Sequence, residues 1–171
     1  MQLDPAQEEV VRHGEGPLAV VAPPGSGKTH TLVERIRFLI SERGVPAQRI
    51  LALTFTTKAA REIGERIAER LGTETPLPYC ATFHALALDM LRLHGEHIGV
   101  PRDFSVVATP EEKQSAAALT FDELLTHAAR LLEEAPEARE HWQGRFRHIL
   151  VDEYQDTNDA QDRIAALLAE P

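Results

Sequence analysis

The chain has 171 residues, of which 43% are hydrophobic and 26% are charged, and this composition is typical of a globular domain with a core of its own. The formal net charge of −9 argues against a protein that coats nucleic acid with a broad basic surface, although it leaves room for a local groove. No apolar run approaches the ~20 residues of a membrane span, and a single cysteine excludes a disulfide framework, so we expect a cytoplasmic protein without a membrane partner.

The N-terminal segment predicts a short helix followed by a strand. Asp4 is a good N-cap, Pro5 suits the first helical position, and Gln7 falls at the third, which is the pattern of a capping box. A turn rich in helix breakers then leads into an apolar run at residues 18–21, which predicts a buried strand.

A glycine-rich stretch joins this predicted strand to an amphipathic helix that runs from Thr29 to Ser41. It reads Ala22-Pro23-Pro24-Gly25-Ser26-Gly27-Lys28-Thr29. Glycines let the backbone wrap around a polyphosphate, a helix N-terminus offers unpaired N–H groups, the lysine neutralises charge, and the threonine can ligate Mg²⁺. Although Ala22 stands where the general pattern has its first glycine, the stretch predicts a phosphate-binding loop. The alternative is an ordinary turn between strand and helix.

Two further strand–helix pairs follow the loop. Residues 50–56 predict a second strand, and the amphipathic helix after it ends at Gly72. Residues 77–82 predict a third strand, and a helical pattern starts at Phe83. Strands and helices that alternate with short turns predict an α/β fold, with a parallel sheet flanked by helices.

The middle of the chain, about residues 86–144, is predicted to be a small helical insertion on the sheet. Capping-box patterns begin helices at Thr109 and Thr120, and the first of these helices is expected to reach Gln114. The apolar residues 104–107 are interpreted as a short strand or an extended connector.

A last apolar strand, residues 146–151, ends in the acidic pair Asp152 and Glu153. Ligands of open α/β sheets lie beyond the carboxyl ends of the strands, so we expect this pair at the same edge as Lys28. Asp152 would hold Mg²⁺ together with Thr29, and Glu153 is placed to polarise a water that attacks a terminal phosphate. The alternative is a solvated, acidic end of a strand.

Five blocks in order resemble the N-terminal motor domain of UvrD/PcrA/Rep-type superfamily 1A DNA helicases. They are Leu3-Asp4-Pro5-Ala6-Gln7, Gly25-Ser26-Gly27-Lys28-Thr29, Leu53-Thr54-Phe55-Thr56-Thr57-Lys58-Ala59-Ala60, Ala81-Thr82-Phe83-His84 and Val151-Asp152-Glu153-Tyr154-Gln155-Asp156-Thr157-Asn158. The last block is the most specific, since few other ATPases follow the acidic pair with an aromatic residue, glutamine and aspartate. The resemblance implies that residues 1–171 form one RecA-like P-loop NTPase domain.

The resemblance also implies a site for ATP and Mg²⁺. It implies that Gln7 reads the adenine edge, that Gln155 senses the γ-phosphate, and that His30, where the family usually has arginine, lies close to the nucleotide. The catalytic candidates are Glu153, Lys28 and Gln155; the nucleotide-binding candidates are Gln7, Pro24, Gly25, Ser26, Gly27, Lys28, Thr29 and His30; the metal candidates are Thr29 and Asp152.

Single-stranded DNA is the second ligand that the resemblance implies. Its candidate contacts are Phe55, Thr56, Thr57, Lys58, Thr82, Phe83 and His84. Aromatic residues can stack on bases, and short polar groups can bind phosphates. A place in the hydrophobic core is an equally good interpretation of Phe55 and Phe83. Thr57 stands where the family usually has asparagine, which leaves the DNA contact open at that position.

The activity implied is that of an ATP-dependent DNA helicase of the 3′–5′ type, acting in repair or replication. The region between His84 and Asp152 is shorter than in the family's full-length helicases, and the fold is expected to be incomplete at its C-terminus. Later sheet strands, the arginine fingers and the second motor domain would come from the remainder of the helicase, in cis or in trans.

An arginine finger is worth ~10³ to 10⁵ in turnover in GTPases, so we expect this chain alone to bind ATP but to be deficient in hydrolysis and unwinding. One alternative is a truncated, non-catalytic module that binds a nucleotide or a partner. A more distant one is another phosphate-loop enzyme, such as a small-molecule kinase.

Overall fold

Helices and strands alternate along most of the chain, of which the computed structural model describes residues 3–72, 75–113 and 117–170. The helices are α1 (Pro5–Arg12), α2 (Lys28–Ser41), α3 (Thr57–Leu71), α4 (Phe83–His94), α5 (Phe121–Glu134), α6 (Pro136–Arg145) and α7 (Asp159–Ala169). The strands are β1 (Ile50–Thr54), β2 (Tyr79–Thr82), β3 (Ser105–Val107), β4 (Ala118–Thr120) and β5 (His148–Val151).

The main sheet has the order β2-β1-β5, and both strand pairs are parallel. Leu53 of β1 is in register with Val151 of β5, and Thr54 is in register with Thr82 of β2. The three strands therefore end at one common edge, and the residues that follow them emerge together. The predicted α/β fold with a parallel sheet flanked by helices is confirmed.

β1 lies between two layers of helices, and all five of its residues are buried. Successive side chains of a strand point to opposite faces of the sheet. Ile50 and Ala52 accordingly pack with apolar residues of α2 and α3 on one face. Leu51 and Leu53 pack on the other face, in a larger core that α4, α5, α6 and α7 share.

The predicted first strand, residues 18–21, is not a strand, and this part of the prediction was wrong. Leu18 is 48% exposed, Val20 45% and Val21 98%. Within the described part of the chain, no backbone hydrogen bond joins these residues to another segment. An apolar run becomes a strand only where a neighbour supplies the hydrogen-bonding ladder, and β5, the nearer edge of the sheet, pairs with β1 alone.

The middle of the chain contains strands as well as helices. β3 and β4 pair in parallel, which confirms the short strand within residues 104–107 and adds a partner that the sequence did not predict. From Thr109 the chain forms a 3₁₀ turn at Pro110–Glu112 rather than the predicted α-helix, whose expected end at Gln114 lies outside the described residues. Since α4, α5 and α6 share a core with β1, the boundary of the insertion at residues 86–144 stays a prediction.

Reciprocal capping boxes begin three of the helices. The pairs are Asp4 with Gln7 at α1, Thr120 with Glu123 at α5, and Asn158 with Gln161 at α7. These caps are formed within four residues of sequence, so they arise wherever the pattern occurs at a helix start. Among the described helices, none is long and apolar enough to cross a membrane.

Glu123 does more than cap α5. Its carboxylate accepts a hydrogen bond from the Lys113 ammonium at 2.6 Å and another from the backbone N–H of Thr120 at 2.8 Å. The Lys113 bond is the largest of the causes that lower the pKa of Glu123 to about 2, from an ordinary value of 4.5. Since the folded state lowers this pKa, ionised Glu123 stabilises the fold above pH 4.5, and that contribution is lost as the pH falls towards about 2.

Glu123→Gln is therefore expected to flatten the dependence of the melting temperature on pH between about 4.5 and about 2. The amide can still accept the capping hydrogen bond but carries no charge for Lys113. Glu123→Ala removes both interactions and should also lower the melting temperature at neutral pH. Thermal melts followed by circular dichroism at a series of pH values measure both effects. If the melting temperature of Glu123→Gln falls with pH as steeply as that of the wild type, the role given to the Glu123 charge is wrong.

Candidate functional site

The glycine-rich loop leads directly into the N-terminus of α2. Gly27 is the N-cap of α2 and has φ 86°, while Gly25 has φ 78°. Both are in the left-handed region, which residues with a Cβ adopt only at a cost. The loop therefore turns sharply enough to leave the first N–H groups of α2 facing outward, where an anion binds well.

Gln7 connects α1 to this loop. Its side-chain amide donates a hydrogen bond to the carbonyl of Ser26 at 2.9 Å, while its side-chain oxygen accepts one from the N–H of Asp4 at 3.0 Å. A Cβ at Gly27 would stand 3.0 Å from the Gln7 amide nitrogen, so a larger residue there would displace the end of this flexible side chain. Gln7 thus caps a helix and contacts the loop at the same time.

Lys28 points back across the loop towards the acidic pair. Its ammonium donates a hydrogen bond to the carbonyl of Ala22 at 3.2 Å and lies 3.8 Å from a carboxylate oxygen of Glu153. The side-chain amide of Gln155 donates to that same carboxylate oxygen of Glu153. Three residues that the sequence predicted to be catalytic are therefore in contact.

Asp152 and Thr29 meet beside this group. Asp152 extends the sheet, because its N–H donates to the carbonyl of Leu53 at 2.9 Å, and it is only 8% exposed. The Thr29 hydroxyl donates a hydrogen bond to its carboxylate. Burial, and next the charge of Glu153, raise the pKa of Asp152 above its ordinary value of 3.8. A buried carboxylate next to a hydroxyl and a second carboxylate is an oxygen donor set that suits a hard cation such as Mg²⁺.

Two further features of the loop and the acidic pair fit a bound polyphosphate and its metal. The hydroxyl of Ser26 is buried, and among the described residues no group forms a hydrogen bond with it. Such an unpaired hydroxyl suits a phosphate oxygen. Glu153 has φ 53° and is the only non-glycine residue in the described part of the chain with a positive φ. Left-handed backbone at a residue with a Cβ costs of order 1–3 kcal/mol and is found mainly at functional sites.

The remaining nucleotide candidates lie around the same loop. Pro24 and Gly25 are exposed, and His30 lies half-buried in the first turn of α2. Their contacts with a nucleotide stay predictions, as does the adenine contact of Gln7.

A second group of candidates follows β1 and β2 at the same edge of the sheet. Thr56 and Thr82 are the N-caps of α3 and α4, and their hydroxyls accept hydrogen bonds from backbone N–H groups at 3.1 Å. Thr57 and Lys58 are exposed in the first turn of α3, and Phe55 is half-buried. The first turns of α3 and α4 therefore present polar groups and one partly exposed aromatic ring side by side.

Phe83 does not belong to this exposed surface. It is 1% exposed and packs in the larger core, with its ring centroid 6.1 Å from that of Phe55. The core interpretation is therefore the correct one for Phe83, because the first position of α4 faces the sheet. Phe55 is only half-buried.

Phe121 is an aromatic residue of this surface that the sequence did not single out. It is 51% exposed at the start of α5, and its ring meets the His84 ring edge-on with centroids 5.8 Å apart. Burial, opposed by the charge of Asp122, lowers the pKa of His84 below 6.5, so the imidazole is neutral at physiological pH. The sequence carries no signal that separates Phe121 from Phe83, since each directly follows a threonine N-cap.

Both groups of residues lie along the carboxyl edge of one parallel sheet. The DNA candidates follow β2 and β1, while the acidic pair follows β5, with the glycine loop beyond it. This arrangement is that of an open parallel α/β domain, a class of protein in which ligands usually bind at the carboxyl ends of the strands.

The chain belongs to the UvrD/REP helicase N-terminal domain family, whose model matches residues 3–117 and 106–171. The ATP-dependent DNA helicase PcrA of Staphylococcus epidermidis is 32% identical over a 225-residue alignment, which covers 95% of this chain and 31% of the relative. PcrA of Staphylococcus aureus gives the same identity and coverage. The chain thus spans about a third of the length of these curated relatives. Since the alignment is longer than the chain, the relatives contain residues within the matched region that this chain lacks.

Proposed function

We propose that this chain is the ATP-binding motor domain of a DNA helicase, built as a RecA-like P-loop domain that binds Mg-ATP and single-stranded DNA. The observation that carries the proposal is the contact of Thr29 with Asp152 directly beside the pair of Lys28 and Glu153. These four residues come from two segments more than 120 positions apart, and they have the chemistry that a metal-bound triphosphate requires.

Each residue of the nucleotide site has a role that follows from its position. The N–H groups of the loop, the Ser26 hydroxyl and the Lys28 ammonium bind phosphate oxygens. Thr29 and Asp152 hold the Mg²⁺ ion, which when bound neutralises charge that develops on the phosphates. Glu153 orients the attacking water and accepts its proton, and Gln155, bonded to Glu153, reports the state of the γ-phosphate.

Single-stranded DNA is proposed to cross the first turns of α3, α4 and α5. Phe55 and Phe121 stack on bases, while Lys58 and Thr57 bind phosphates. Phe55 and Lys58 follow β1, and the acidic pair follows the neighbouring strand β5. This proximity supports a proposal that nucleotide binding and DNA binding affect each other through these two strands. Unwinding of the 3′–5′ type, in repair or replication, is proposed for the whole helicase, with a second motor domain as partner.

Hydrolysis by the 171-residue chain alone is proposed to be slow. The described residues near Lys28 and Glu153 provide one ammonium group for the phosphates and no arginine in contact with either side chain. An arginine finger from a partner domain would supply the charge that the transition state requires. This domain is therefore expected to bind ATP but to hydrolyse it slowly.

Titration of a fluorescent ATP analogue, with Mg²⁺ and with EDTA, tests this proposal. The wild-type chain is expected to bind the analogue more tightly with Mg²⁺ than with EDTA. In Asp152→Asn the gain in affinity from Mg²⁺ should be about tenfold smaller, which corresponds to the loss of one charge-assisted contact of ~1.5 kcal/mol. Asp156→Asn is the matched control, since Asp156 is a neighbouring aspartate whose side chain is exposed. The assignment is wrong if Asp152→Asn keeps the full effect of Mg²⁺, or if the wild-type chain binds no ATP.

A further inference from the structure

Arg35 lies half-buried in the middle of α2 and holds the C-terminal end of α1. Its guanidinium donates hydrogen bonds to the backbone carbonyls of Val11 at 2.8 Å, His13 at 2.5 Å and Gly14 at 3.3 Å. The last carbonyls of a helix have no partner within the helix, and a cation with several N–H groups suits them. Arg35 therefore caps α1 from a neighbouring helix.

Little apolar packing fixes the position of α1. The helix has eight residues, all within the described ranges, and Val11 alone among them is buried. Helices this short are unstable by themselves in water, so the position of α1 depends on its contacts with the rest of the fold. Arg12 of α1 also pairs with Glu42 at 3.9 Å, but these side chains are 58% and 43% exposed, and such pairs contribute little. The hydrogen bonds from Arg35 are accordingly important for the placement of α1.

Gln7 forms the second polar anchor of α1. Its side-chain amide donates a hydrogen bond to the carbonyl of Ser26, in the glycine-rich loop. Gln7 and Val11 are four positions apart, so they lie one above the other on the same face of α1. One turn of α1 is therefore fastened at its start to the loop and at its end to Arg35 of the helix that follows the loop.

The hydrogen bonds of the Gln7 side chain fix which way its amide faces. The oxygen accepts from the N–H of Asp4, and the nitrogen donates to the carbonyl of Ser26. The flipped orientation would lose both bonds, because the oxygen cannot donate and the nitrogen cannot accept. One N–H and one oxygen lone pair remain for a ligand, and they match N7 and the N6 amino group of adenine. Guanine has a carbonyl oxygen in place of that amino group, which would meet the Gln7 oxygen unfavourably.

We infer that Arg35 is a positioning residue, which holds α1 so that Gln7 selects adenine over guanine. The inference rests on the proposed function, since it assigns a role within the same nucleotide site. Arg35 acts through the far end of α1 and does not itself contact the base. A bidentate contact with a base discriminates against the wrong base by about 5- to 150-fold, which is the preference for ATP over GTP expected of the wild-type chain. Without Arg35, most of this preference should be lost.

Competition titrations test the inference. Unlabelled ATP and GTP displace a ribose-labelled fluorescent ATP analogue from the 171-residue chain in the presence of Mg²⁺, and the result is the ratio of the two affinities. Arg35→Ala is expected to lower this ratio by about fivefold or more, as is Gln7→Ala. A loss of stability, or of positive charge near the triphosphate, would weaken ATP and GTP equally and leave the ratio unchanged.

Arg37→Ala is the matched control for these titrations. Arg37 is a second arginine of α2, but it pairs with Glu34 of the same helix at 2.9 Å and with Glu42, the C-cap of that helix, at 3.2 Å. Its removal should therefore cost ion pairs without releasing α1, and the ratio of the ATP and GTP affinities should stay at the wild-type value.

A double variant distinguishes an effect through Gln7 from an independent one. In the Gln7→Ala background, Arg35→Ala should lower the ratio no further, because the group that Arg35 positions is absent. Arg35→Lys keeps the charge but replaces the planar fork of donors with one ammonium group, and it should also lower the ratio if Arg35→Ala does not fold. A wild-type ratio in a folded Arg35 variant, or a further fall in the double variant, would overturn the inference.

Failure of the proposed nucleotide site gives a different result. A wild-type chain that binds neither ATP nor GTP would refute that site and the role of Arg35 together. Equal affinity of the wild type for ATP and GTP would keep the phosphate site but overturn the inference, since no base selectivity would exist for Arg35 to support. A preference that is lost in Gln7→Ala and kept in Arg35→Ala would refute the role of Arg35 alone.

Discussion

Lys28→Ala is expected to lower the affinity for ATP by about 10- to 150-fold while leaving the chain folded. The loss corresponds to a hydrogen bond from a charged group, worth about 1.5–3 kcal/mol. In the free chain the Lys28 ammonium donates to the carbonyl of Ala22 and pairs with the carboxylate of Glu153, and its side chain is 23% exposed. Its removal leaves Glu153 as an unneutralised negative charge close to the triphosphate.

Lys58→Ala is the matched control for this experiment. Lys58 is exposed in the first turn of α3, on the surface proposed for DNA, and contributes nothing to the glycine loop. Titration with a fluorescent ATP analogue should give wild-type affinity for Lys58→Ala and weak binding for Lys28→Ala. Titration with single-stranded DNA should give the opposite order. Equal ATP affinity in the wild type and Lys28→Ala would refute the site.

Phe121→Ala is expected to weaken the binding of single-stranded DNA by about 5- to 150-fold, because stacking of one base on an aromatic ring is worth ~1–3 kcal/mol. Phe121 is 51% exposed and touches the edge of His84, so its ring offers an open face beside the first turn of α4. Truncation of such an exposed ring should change the free energy of unfolding little. Phe121→Trp should retain the affinity, since the stacking face remains.

Fluorescence anisotropy with a labelled oligothymidylate measures this effect, at low salt because the net charge of the chain is −9. Leu93→Ala is the control for the loss of an exposed apolar side chain, since Leu93 is 43% exposed in the last turn of α4, away from the edge of the sheet. Identical DNA affinity in Phe121→Ala and the wild type would exclude Phe121 from the DNA path.

Much of the fold could be predicted from local patterns. The capping box of Asp4 and Gln7, the glycine turn before α2, and the apolar strands that become β1 and β5 all depend on residues a few positions apart. The parallel sheet follows from their alternation with helices, and the common edge follows from the parallel sheet. The prediction from the sequence that Lys28 and the acidic pair lie at the same edge of the sheet is therefore confirmed.

The less successful predictions concern residues whose environment is set by distant segments. Residues 18–21 have the composition of a buried strand but no neighbour to pair with, and β4 is too short to recognise without its partner β3. Phe83 and Phe121 each occupy the first position of a helix after a threonine cap. One ring is buried in the core and the other is exposed, because α4 and α5 meet the sheet differently.

By itself, the sequence determined where most helices start, where β1, β2 and β5 lie, and which residues could carry the chemistry of a phosphate site, since hydrogen bonds and steric limits within a few residues decide these features. Only the tertiary structure decided that Gln7 holds the carbonyl of Ser26, that Thr29 meets Asp152, and that the run before the glycine loop lies unpaired beside β5. These contacts join segments that are far apart in the chain, and their geometry depends on how whole layers pack, which no short pattern encodes.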